Sequence, residues 1–410
     1  MDYGLIGEKL PHSFSKEIHE QLGYYQYSLI ELKKEELRDF ILQKNFKALN
    51  VTIPYKQAVM PLLDEISPDA QAIGAVNTIV NRDGVLYGYN TDFGGMKALI
   101  ERAGVTVKYK KVLILGTGGT SLTARAVCER LGAKVILRVS RRETDGAITY
   151  EQAYAAHTDA DVILNATPCG MFPKIFDCPI DISKFPKLSG VIDVIYNPLQ
   201  TRLVLSARER DINAEGGLYM LVAQAVLAAE HFLGKELDTV KLTNEIYDKI
   251  YFDKRNIVLS GMPASGKSTV GKLVAKQLGR ELLDTDSLIV QREGDIPTIF
   301  REKGEKVFRD IESEVIREVS ALSGKVISLG GGAILRPENV KALRQNGEIF
   351  FIDRSPEYLI PTDDRPLADK KEKILRLYNK RIDTYMSTAD YIIDGDCDPE
   401  DVADSIIHGE

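Results

Sequence analysis

Short runs of consecutive apolar residues alternate with amphipathic helical patterns along most of the chain. Within these runs the apolar residues are continuous and do not alternate with polar ones, which is typical of strands buried on both faces of a parallel sheet. The pattern therefore predicts an α/β protein with two successive parallel sheets. The runs for the first sheet are 111–116, 133–140, 160–167 and 190–196, and those for the second are 256–261, 325–332 and 348–353.

The main domain boundary is predicted near 250–255, where a helical pattern ends and a short polar stretch precedes the next apolar run. The part before this boundary is expected to divide again, because its opening α/β region precedes a separate sheet and a late helix can return to that region. The predicted domains are 1–94 plus 218–250, 95–217 and 256–410.

The composition indicates a soluble globular protein. The chain has 410 residues, enough for two or three domains, with 44% hydrophobic and 28% charged residues. A net charge of −7 argues against a nucleic-acid or anionic-membrane partner. The longest apolar stretch, 218–233, carries Gln224, Glu230 and His231, so it predicts a buried helix and not a membrane span.

Four cysteines are too few for a disulfide scaffold, and the N-terminal stretch lacks the pattern of a signal peptide. We therefore expect a cytoplasmic protein that acts on small molecules, as a monomer or a homodimer.

The segment 261–268, GMPASGKS, fits the P-loop pattern between a predicted strand and a predicted helix. Its backbone amides can cradle phosphate oxygens, Lys267 can reach the β- and γ-phosphates, and Ser268 can ligate Mg²⁺. ATP and Mg²⁺ are the expected ligands. The predicted nucleotide-binding residues are Gly261, Ser265, Gly266, Lys267, Ser268 and Thr269.

Polar residues after the P-loop suggest a phosphoryl acceptor. Asp284 and Asp286 end an apolar run, where one can serve Mg²⁺ and the other can accept a proton from an attacking hydroxyl. Arg309 and Glu312 are spaced as neighbours on a helix, although a surface ion pair would give the same spacing. Three glycines at 330–332 let the backbone approach a small ligand closely.

In order, the stretches GMPASGKST, LLDTD, FRDIE, LGGGA, DDRPL and LYNKRIDTY resemble the shikimate kinase family over about 256–394. The resemblance implies a P-loop sheet like that of nucleoside monophosphate kinases, and phosphorylation of the shikimate 3-hydroxyl. Asp383 stands where the family usually has proline. The implied roles are Mg²⁺ binding by Ser268 and Asp284, orientation or deprotonation of the hydroxyl by Asp286, carboxylate binding by Arg309 and Arg381, ring contact by Gly331 and Gly332, and lid closure by Arg365.

A different glycine-rich loop, GTGGTS at 116–121, lies between a predicted strand and helix. Gly116 suits the tight turn and Gly118 the close approach to a pyrophosphate of a dinucleotide. The following strand ends in Arg141 and Arg142, where an NAD site usually has an acidic residue. Two guanidinium groups suit a 2′-phosphate, so the sequence favours NADP(H) over NAD(H), although basic residues at an exposed strand end would look the same.

Small polar residues recur in the first half and suit a polyhydroxylated ligand. A lysine beside a carboxylate can also donate a proton to a carbonyl oxygen as hydride reaches the carbon. Each of these residues taken alone could be a turn or cap residue. The candidates are Asn50, Thr52, Lys56, Asn77, Asn90, Thr91 and Asp92.

Eight stretches in order resemble the shikimate dehydrogenase family over about 3–250: GEKLPHSFS, NVTIPYK, GAVNT, YNTD, GTGGTS, NATPCGM, DVIYNPLQT and GGLYMLVAQA. The resemblance implies a two-domain dehydrogenase with a Rossmann-like NADP-binding sheet. The implied roles are catalysis by Lys56 and Asp92, carboxylate binding by Ser13, Ser15 and Tyr196, recognition of ring hydroxyls by Thr52, Asn77 and Gln224, and NADP binding by Gly116, Gly118, Gly119, Ser140 and Arg141.

Together the two resemblances predict a bifunctional enzyme that reduces 3-dehydroshikimate to shikimate with NADPH and then phosphorylates shikimate with ATP. Three alternatives remain open at this level. The dehydrogenase could act on another polyol acid such as quinate, the kinase could act on another small molecule, or the P-loop half could be a catalytically weak binding or regulatory module.

Overall fold

The computed structural model describes residues 2–10, 14–144, 146–359 and 371–408. The chain divides into two compact units, Met1–Tyr251 and Phe252–Glu410. Two predicted site residues, Ser13 and Arg365, lie outside the described residues. In the described part of the chain, no helix combines the length and hydrophobicity that crossing a membrane requires.

The first unit opens with a mixed sheet of strand order β2-β1-β3-β5-β6-β4. Strand β1 pairs in parallel with β2 and β3, whereas β5 runs antiparallel to β3 and β6. The strands are β1 (Tyr3–Gly7), β2 (Ser28–Glu31), β3 (Ala48–Val51), β4 (Glu65–Ile66), β5 (Thr78–Arg82) and β6 (Val85–Tyr89), with helices α1 (Ser15–Gln21), α2 (Leu37–Gln43) and α3 (Pro68–Ile73).

A second sheet in this unit is wholly parallel, with the order β12-β11-β10-β7-β8-β9. The first sheet predicted from the apolar runs is thereby confirmed. Its elements are α4 (Asp92–Arg102), β7 (Lys111–Leu115), α5 (Gly119–Arg130), β8 (Val135–Ser140), β9 (Ala147–Thr149), α6 (Tyr150–Ala156), β10 (Val162–Asn165), β11 (Gly190–Asp193), α7 (Arg202–Arg208) and β12 (Asn213–Glu215).

Two long helices close the first unit, α8 (Leu218–Leu233) and α9 (Thr239–Lys254). Helix α8 is buried along most of its length and packs on α4, α1 and β5. These contacts are the ones expected if 218–250 belongs with the opening region, and the three-domain division itself stays a prediction.

The second unit contains a five-stranded, wholly parallel sheet of order β14-β15-β13-β16-β17. Apolar residues of β13 and β16 form its core with helices α10 and α16. The elements are β13 (Asn256–Ser260), α10 (Lys267–Leu278), β14 (Leu282–Asp284), α11 (Thr285–Glu293), α12 (Ile296–Glu302), α13 (Gly304–Ser320), β15 (Val326–Ser328), α14 (Pro337–Leu343), β16 (Gly347–Asp353), α15 (Lys371–Thr388), β17 (Tyr391–Asp394) and α16 (Pro399–His408).

Gly217, just before α8, lies against the backbone that follows β11. A Cβ atom at this position would overlap the carbonyl group of Val194. The amide of Gly217 also donates a hydrogen bond to the carbonyl of Ile195, at 2.8 Å. The start of α8 is thus joined to the end of β11 by a contact that only glycine permits.

Replacing Gly217 with alanine is expected to lower the thermal unfolding midpoint of the full chain, because the overlapping atom is backbone and cannot rotate away. Overpacking of this kind costs about 1–3 kcal/mol. Circular dichroism on heating measures the midpoint. Gly234→Ala is the matched control: it has open space around it and φ of +62°, so it pays only the left-handed strain, about 1 kcal/mol. Equal midpoints for the two variants would contradict the close approach.

Candidate active sites

A cavity of about 520 Å³ lies in the first unit beside the carboxyl ends of β3 and β11. Every described residue to which the family resemblance assigned substrate binding or catalysis in this half lines this cavity, whereas the further candidates Asn90 and Thr91 do not. The assigned residues that line it are Ser15, Thr52, Lys56, Asn77, Asp92, Tyr196 and Gln224.

The predicted catalytic pair is in direct contact: Lys56 Nζ donates a hydrogen bond to Asp92 Oδ2 at 2.5 Å. Their side chains are 20% and 12% exposed. Asp92 is the first residue of α4, where the positive end of the helix dipole stabilises a carboxylate. The carboxylate in turn orients the lysine ammonium at the cavity wall, so the pair is arranged to hold and transfer a proton.

Asn77 lies at the centre of a buried hydrogen-bond network. Its Oδ1 accepts from the amide of Thr91 at 2.8 Å, and its Nδ2 donates to Thr91 Oγ1 at 3.0 Å and to Gln224 Oε1 at 3.5 Å. Asn50 joins the network through its Nδ2, which donates to Thr78 Oγ1 at 3.2 Å. Because these groups are buried and mutually bonded, they hold one arrangement of donors and acceptors at the cavity.

Tyr27 supports this network and was missed by the sequence reasoning. Its hydroxyl donates to Asn50 Oδ1 at 2.7 Å, and its side chain is fully buried. Tyr27 stands outside every recognised motif, so no local signal connected it with Asn50.

Ser15 and Tyr196 lie at another part of the cavity wall. Ser15 is the buried first residue of α1, and Tyr196 follows β11 with its ring 5.2 Å from that of Phe14. Burial raises the pKa of Tyr196 above its ordinary value. Its hydroxyl therefore keeps its proton and can donate to an anionic group.

A second cavity, of about 870 Å³, follows the glycine-rich loop. The five residues to which the family resemblance assigned NADP binding line it. Nothing lies within 4 Å of where a Cβ atom on Gly118 or Gly119 would stand, so this backbone faces open space. Lys56 and Thr120 line both cavities, which are therefore adjacent at the catalytic pair. The predicted residues found here are Gly116, Gly118, Gly119, Ser140 and Arg141.

The structure separates the two arginines that the sequence treated together. Arg141 lines the cavity, whereas Arg142 is not among its lining residues and its carbonyl accepts a hydrogen bond from Ser140. Tyr150, which the sequence reasoning did not select, lines the cavity with Arg141. Burial raises the pKa of Tyr150 to about 12.

Asp193 connects the loops that line the two cavities. It is fully buried and accepts hydrogen bonds from Thr201 Oγ1 at 2.7 Å, Asn165 Nδ2 at 3.0 Å and the amide of Ile195 at 3.1 Å. Burial raises the pKa of this carboxyl group to about 7, and the three donors act in the opposite direction. The loops after β10 and β11 are thereby held together by one side chain.

In the second unit, the P-loop joins β13 to α10, which begins at Lys267. Lys267 Nζ donates to the carbonyls of Gly261 at 2.9 Å and Met262 at 2.8 Å, inside the loop. Ser268 Oγ donates to Asp284 Oδ2 at 2.9 Å. The structure thus brings the two predicted metal ligands together, and hydroxyl and carboxylate oxygens are ligands that suit Mg²⁺.

A group of charged side chains surrounds the glycines after β15. The position of a Cβ atom on Gly330 is 2.5 Å from Asp286 Oδ1 and 2.9 Å from Glu312 Oε1, so both carboxylates contact this glycine. Arg309 Nη1 donates to Glu312 Oε2 at 2.7 Å. Next to this group, a Cβ atom on Gly331 would lie 2.8 Å from Pro263 Cδ in the P-loop. The charged group and the phosphate loop are therefore neighbours.

Two arginines converge on the same glycines. Arg381 Nη1 donates to the carbonyl of Gly331 at 2.8 Å, and a Cβ atom on Gly332 would overlap the guanidinium of Arg309. Tyr385 also donates its hydroxyl to the Gly331 carbonyl. Burial lowers the pKa of Arg381, and the charge of Arg309 lowers it further. Two neighbouring guanidinium groups of this kind suit a planar carboxylate.

Glu312 is not part of a surface ion pair, the alternative that its spacing from Arg309 allowed. Its side chain is fully buried, and burial raises its pKa to about 7. The sequence did contain the relevant signal: Glu312 is four residues from Phe308 and three from Val315, on the buried face of α13. The sequence analysis considered only the spacing between Arg309 and Glu312 and did not take this apolar stripe into account.

The fold and both sites define an α/β nucleotide-binding protein with a Rossmann-like sheet and a P-loop sheet. Residues 5–79 match the family model of the shikimate dehydrogenase substrate binding domain, and residues 263–409 match that of shikimate kinase. A protein of Clostridium beijerinckii named shikimate dehydrogenase (NADP(+)) is 40% identical to this chain over 265 residues. The match covers 60% of this chain and 96% of that protein. The chain belongs to the shikimate dehydrogenase family and carries a shikimate kinase domain after it.

Two solved structures resemble the first unit. Shikimate 5-dehydrogenase of Thermus thermophilus, in complex with NADP(H) and shikimate, has a TM-score of 0.54 and 27% identity over 61% of this chain and 99% of that one. Quinate dehydrogenase of Corynebacterium glutamicum, in complex with NAD, has a TM-score of 0.54 and 29% identity over 61% of this chain and 99% of that one.

Glu312→Gln is expected to change how stability depends on pH. The folded-state pKa of about 7 exceeds the ordinary 4.5, so the folded chain binds a proton that the unfolded chain releases between these values. The contribution of Glu312 to the free energy of unfolding of the wild type therefore falls across this window as pH rises. The unfolding midpoint of Glu312→Gln minus that of the wild type should rise between pH 4.5 and 7.

Glu305→Gln is the matched control, because it removes an exposed carboxylate 3.5 Å from the same arginine. A rise common to both variants, or a constant difference for Glu312→Gln, would contradict the buried titration.

Proposed function

We propose that the chain catalyses two consecutive reactions: reduction of 3-dehydroshikimate to shikimate with NADPH, then phosphorylation of shikimate with ATP. One observation carries the proposal. In each unit, a set of side chains suited to an anionic, hydroxylated ring lies directly beside a glycine-rich loop suited to nucleotide phosphates.

In the first site, Lys56 is the group that gives a proton to the carbonyl oxygen of the substrate. Its contact with Asp92 keeps the ammonium pointed at the cavity, and its place between the two cavities sets it beside both ligands. Bound NADPH supplies the hydride. The ammonium of Lys56 also stabilises the oxygen that becomes negative as hydride arrives.

Recognition of the ring in this site is assigned to the buried network. Thr52, Asn77 and Gln224 present donors and acceptors to the ring hydroxyls, while Ser15 and Tyr196 donate to the carboxylate. The shikimate named in the Thermus thermophilus complex supports this choice of ligand. An analogue that lacks one of these ring hydroxyls would leave buried groups of the protein without a hydrogen-bond partner. The site therefore selects against such an analogue.

NADP(H) is the proposed dinucleotide. Arg141 lines the cavity at the carboxyl end of β8, where a guanidinium can bind a 2′-phosphate. The open space before Gly118 and Gly119 fits a pyrophosphate against their amides. The names of the Clostridium beijerinckii and Thermus thermophilus proteins agree with this cofactor.

In the second site, Asp286 orients the 3-hydroxyl of shikimate and accepts its proton, while Arg309 and Arg381 hold the carboxylate. The carbonyl of Gly331 fixes Arg381, and Glu312 fixes Arg309. Lys267 binds the phosphates of ATP, which supplies the phosphoryl group. Ser268 and Asp284 would hold Mg²⁺, which neutralises phosphate charge when bound.

A quinate dehydrogenase activity in the first site is the second candidate. It is favoured by the similarity to the Corynebacterium glutamicum quinate dehydrogenase, which reaches the same TM-score of 0.54 as the shikimate complex. Quinate differs from shikimate in the ring, so kinetics with both acids separate the two candidates.

A one-pot reaction of the full chain with 3-dehydroshikimate, NADPH, ATP and Mg²⁺, followed by mass spectrometry, is expected to yield shikimate 3-phosphate. Lys56→Met should slow the first step by roughly hundredfold or more, the loss expected for general acid–base catalysis, yet still phosphorylate added shikimate. Lys267→Met should stop at shikimate.

These two variants control for each other, since each retains the reaction of the opposite unit. Accumulation of shikimate by the wild type would reduce the second unit to a binding module. Oxidation of quinate in preference to shikimate would replace the first assignment.

Arg141→Gln is expected to raise the KM for NADPH about tenfold and leave that for NADH nearly unchanged, because only NADPH carries the 2′-phosphate bound by a charged hydrogen bond. Arg142→Gln is the matched control, since Arg142 is the adjacent arginine that does not line the cavity. Steady-state kinetics with both cofactors measures the effect. An equal rise in both KM values would contradict the assigned contact.

A further inference from the structure

Arg354 is a charged residue of the second unit that the assigned roles leave unexplained. It directly follows β16, next to the strand that leads into the P-loop. Its Nη1 atom lies 3.5 Å from where a Cβ atom on Gly266 would stand. Gly266 caps α10 and precedes Lys267, so the guanidinium lies beside the part of the loop where phosphates are bound.

The guanidinium of Arg354 forms no ion pair with a carboxylate in the part of the chain that is described. It makes no hydrogen bond to the described residues, and its Nε atom is buried without an acceptor. A buried donor without a partner is uncommon in folded proteins and calls for an explanation.

The acidic side chains close to Arg354 in the chain are bonded to other groups. Asp353 accepts from the hydroxyl of Tyr378 at 3.3 Å, and Asp396 accepts from the amide of Ser355 at 2.9 Å and from its hydroxyl. Neither carboxylate pairs with Arg354 in the described part of the chain, and the Arg354 guanidinium lies at the positive end of α10.

Three positive groups therefore meet at the loop: the N-terminus of α10, Lys267 and Arg354. Like charges placed together favour binding of an anion, which relieves their repulsion. A guanidinium can form two parallel hydrogen bonds to phosphate oxygens, and it stays charged at any relevant pH. The matching ligand class is a nucleoside di- or triphosphate.

We propose that Arg354 binds the phosphate chain of the nucleotide in the P-loop, as a second side-chain cation beside Lys267. This inference rests on the proposed kinase function, because it takes the P-loop to be a nucleotide site. Arg354 then contributes to nucleotide affinity and distinguishes nucleoside diphosphates from nucleosides, which carry no phosphate to contact. The rival role is structural, in which Arg354 only offsets the charge of Asp353, Asp394 and Asp396.

The test is isothermal titration calorimetry of the full chain with ADP, and separately with adenosine. Arg354→Gln is expected to raise the Kd for ADP about tenfold, as a lost charged hydrogen bond does, with little change for adenosine. Arg354→Lys keeps the charge but loses the paired geometry, so its Kd for ADP should lie between those of the wild type and Arg354→Gln. Arg301→Gln is the matched control, because it removes an arginine of the same unit whose side chain is 71% exposed. Arg301 contacts Glu302 and Thr298 of its own helix, α12.

Thermal midpoints of all variants separate binding from folding. Unchanged ADP affinity in Arg354→Gln, with or without a lower midpoint, would overturn the inference and favour the structural role. If Arg354→Gln does not fold, an ADP affinity of Arg354→Lys equal to that of the wild type would overturn it. Absence of ADP binding by the wild type would instead count against the proposed kinase function.

Discussion

Both candidate sites depend on one constraint of parallel sheets: the strands end at a common edge, and the helices that follow begin there. In the first unit, the ends of β7, β8, β10 and β11 lead into the loops that line the two cavities. In the second, the ends of β13, β14 and β15 lead into the P-loop, Asp284 and the three glycines. Segments far apart in the chain therefore meet at one edge, where helix N-termini favour anions.

The same edge concentrates charge that would be costly to bury singly, and each site solves this by pairing. Lys56 is held against Asp92, and Arg309 against Glu312. Removing one partner of such a pair leaves the other uncompensated, so the pairs specify geometry as well as reactivity. Within the described part of the chain, the neighbouring Arg381 donates to a carbonyl and forms no ion pair with a carboxylate, which keeps its positive charge available to a ligand.

Some features of the structure could be predicted from a short stretch of sequence, and others could not. The run at 111–116 is continuous and apolar, and it forms β7 at Lys111–Leu115 as predicted. The two glycine-rich loops could also be located from the sequence, because clustered glycines indicate a tight turn that residues with side chains rarely adopt. The sequence left a surface ion pair open for Glu312, because its spacing from Arg309 describes a helix face without saying which face is buried. Arg142 was grouped with Arg141 because adjacency in the chain does not show which side chain turns toward the cavity.

The sequence by itself determined the strands, the two phosphate loops and the candidate polar residues, since each depends on short-range spacing and residue type. Only the tertiary structure decided which of them meet. Asn77 and Gln224 are far apart in the chain, yet they share a hydrogen bond because α8 packs against β5 and α4. Tyr27, Glu312 and Arg354 gain their importance from neighbours brought by other elements. Burial and partnership are properties of the packed chain, and local patterns contain neither.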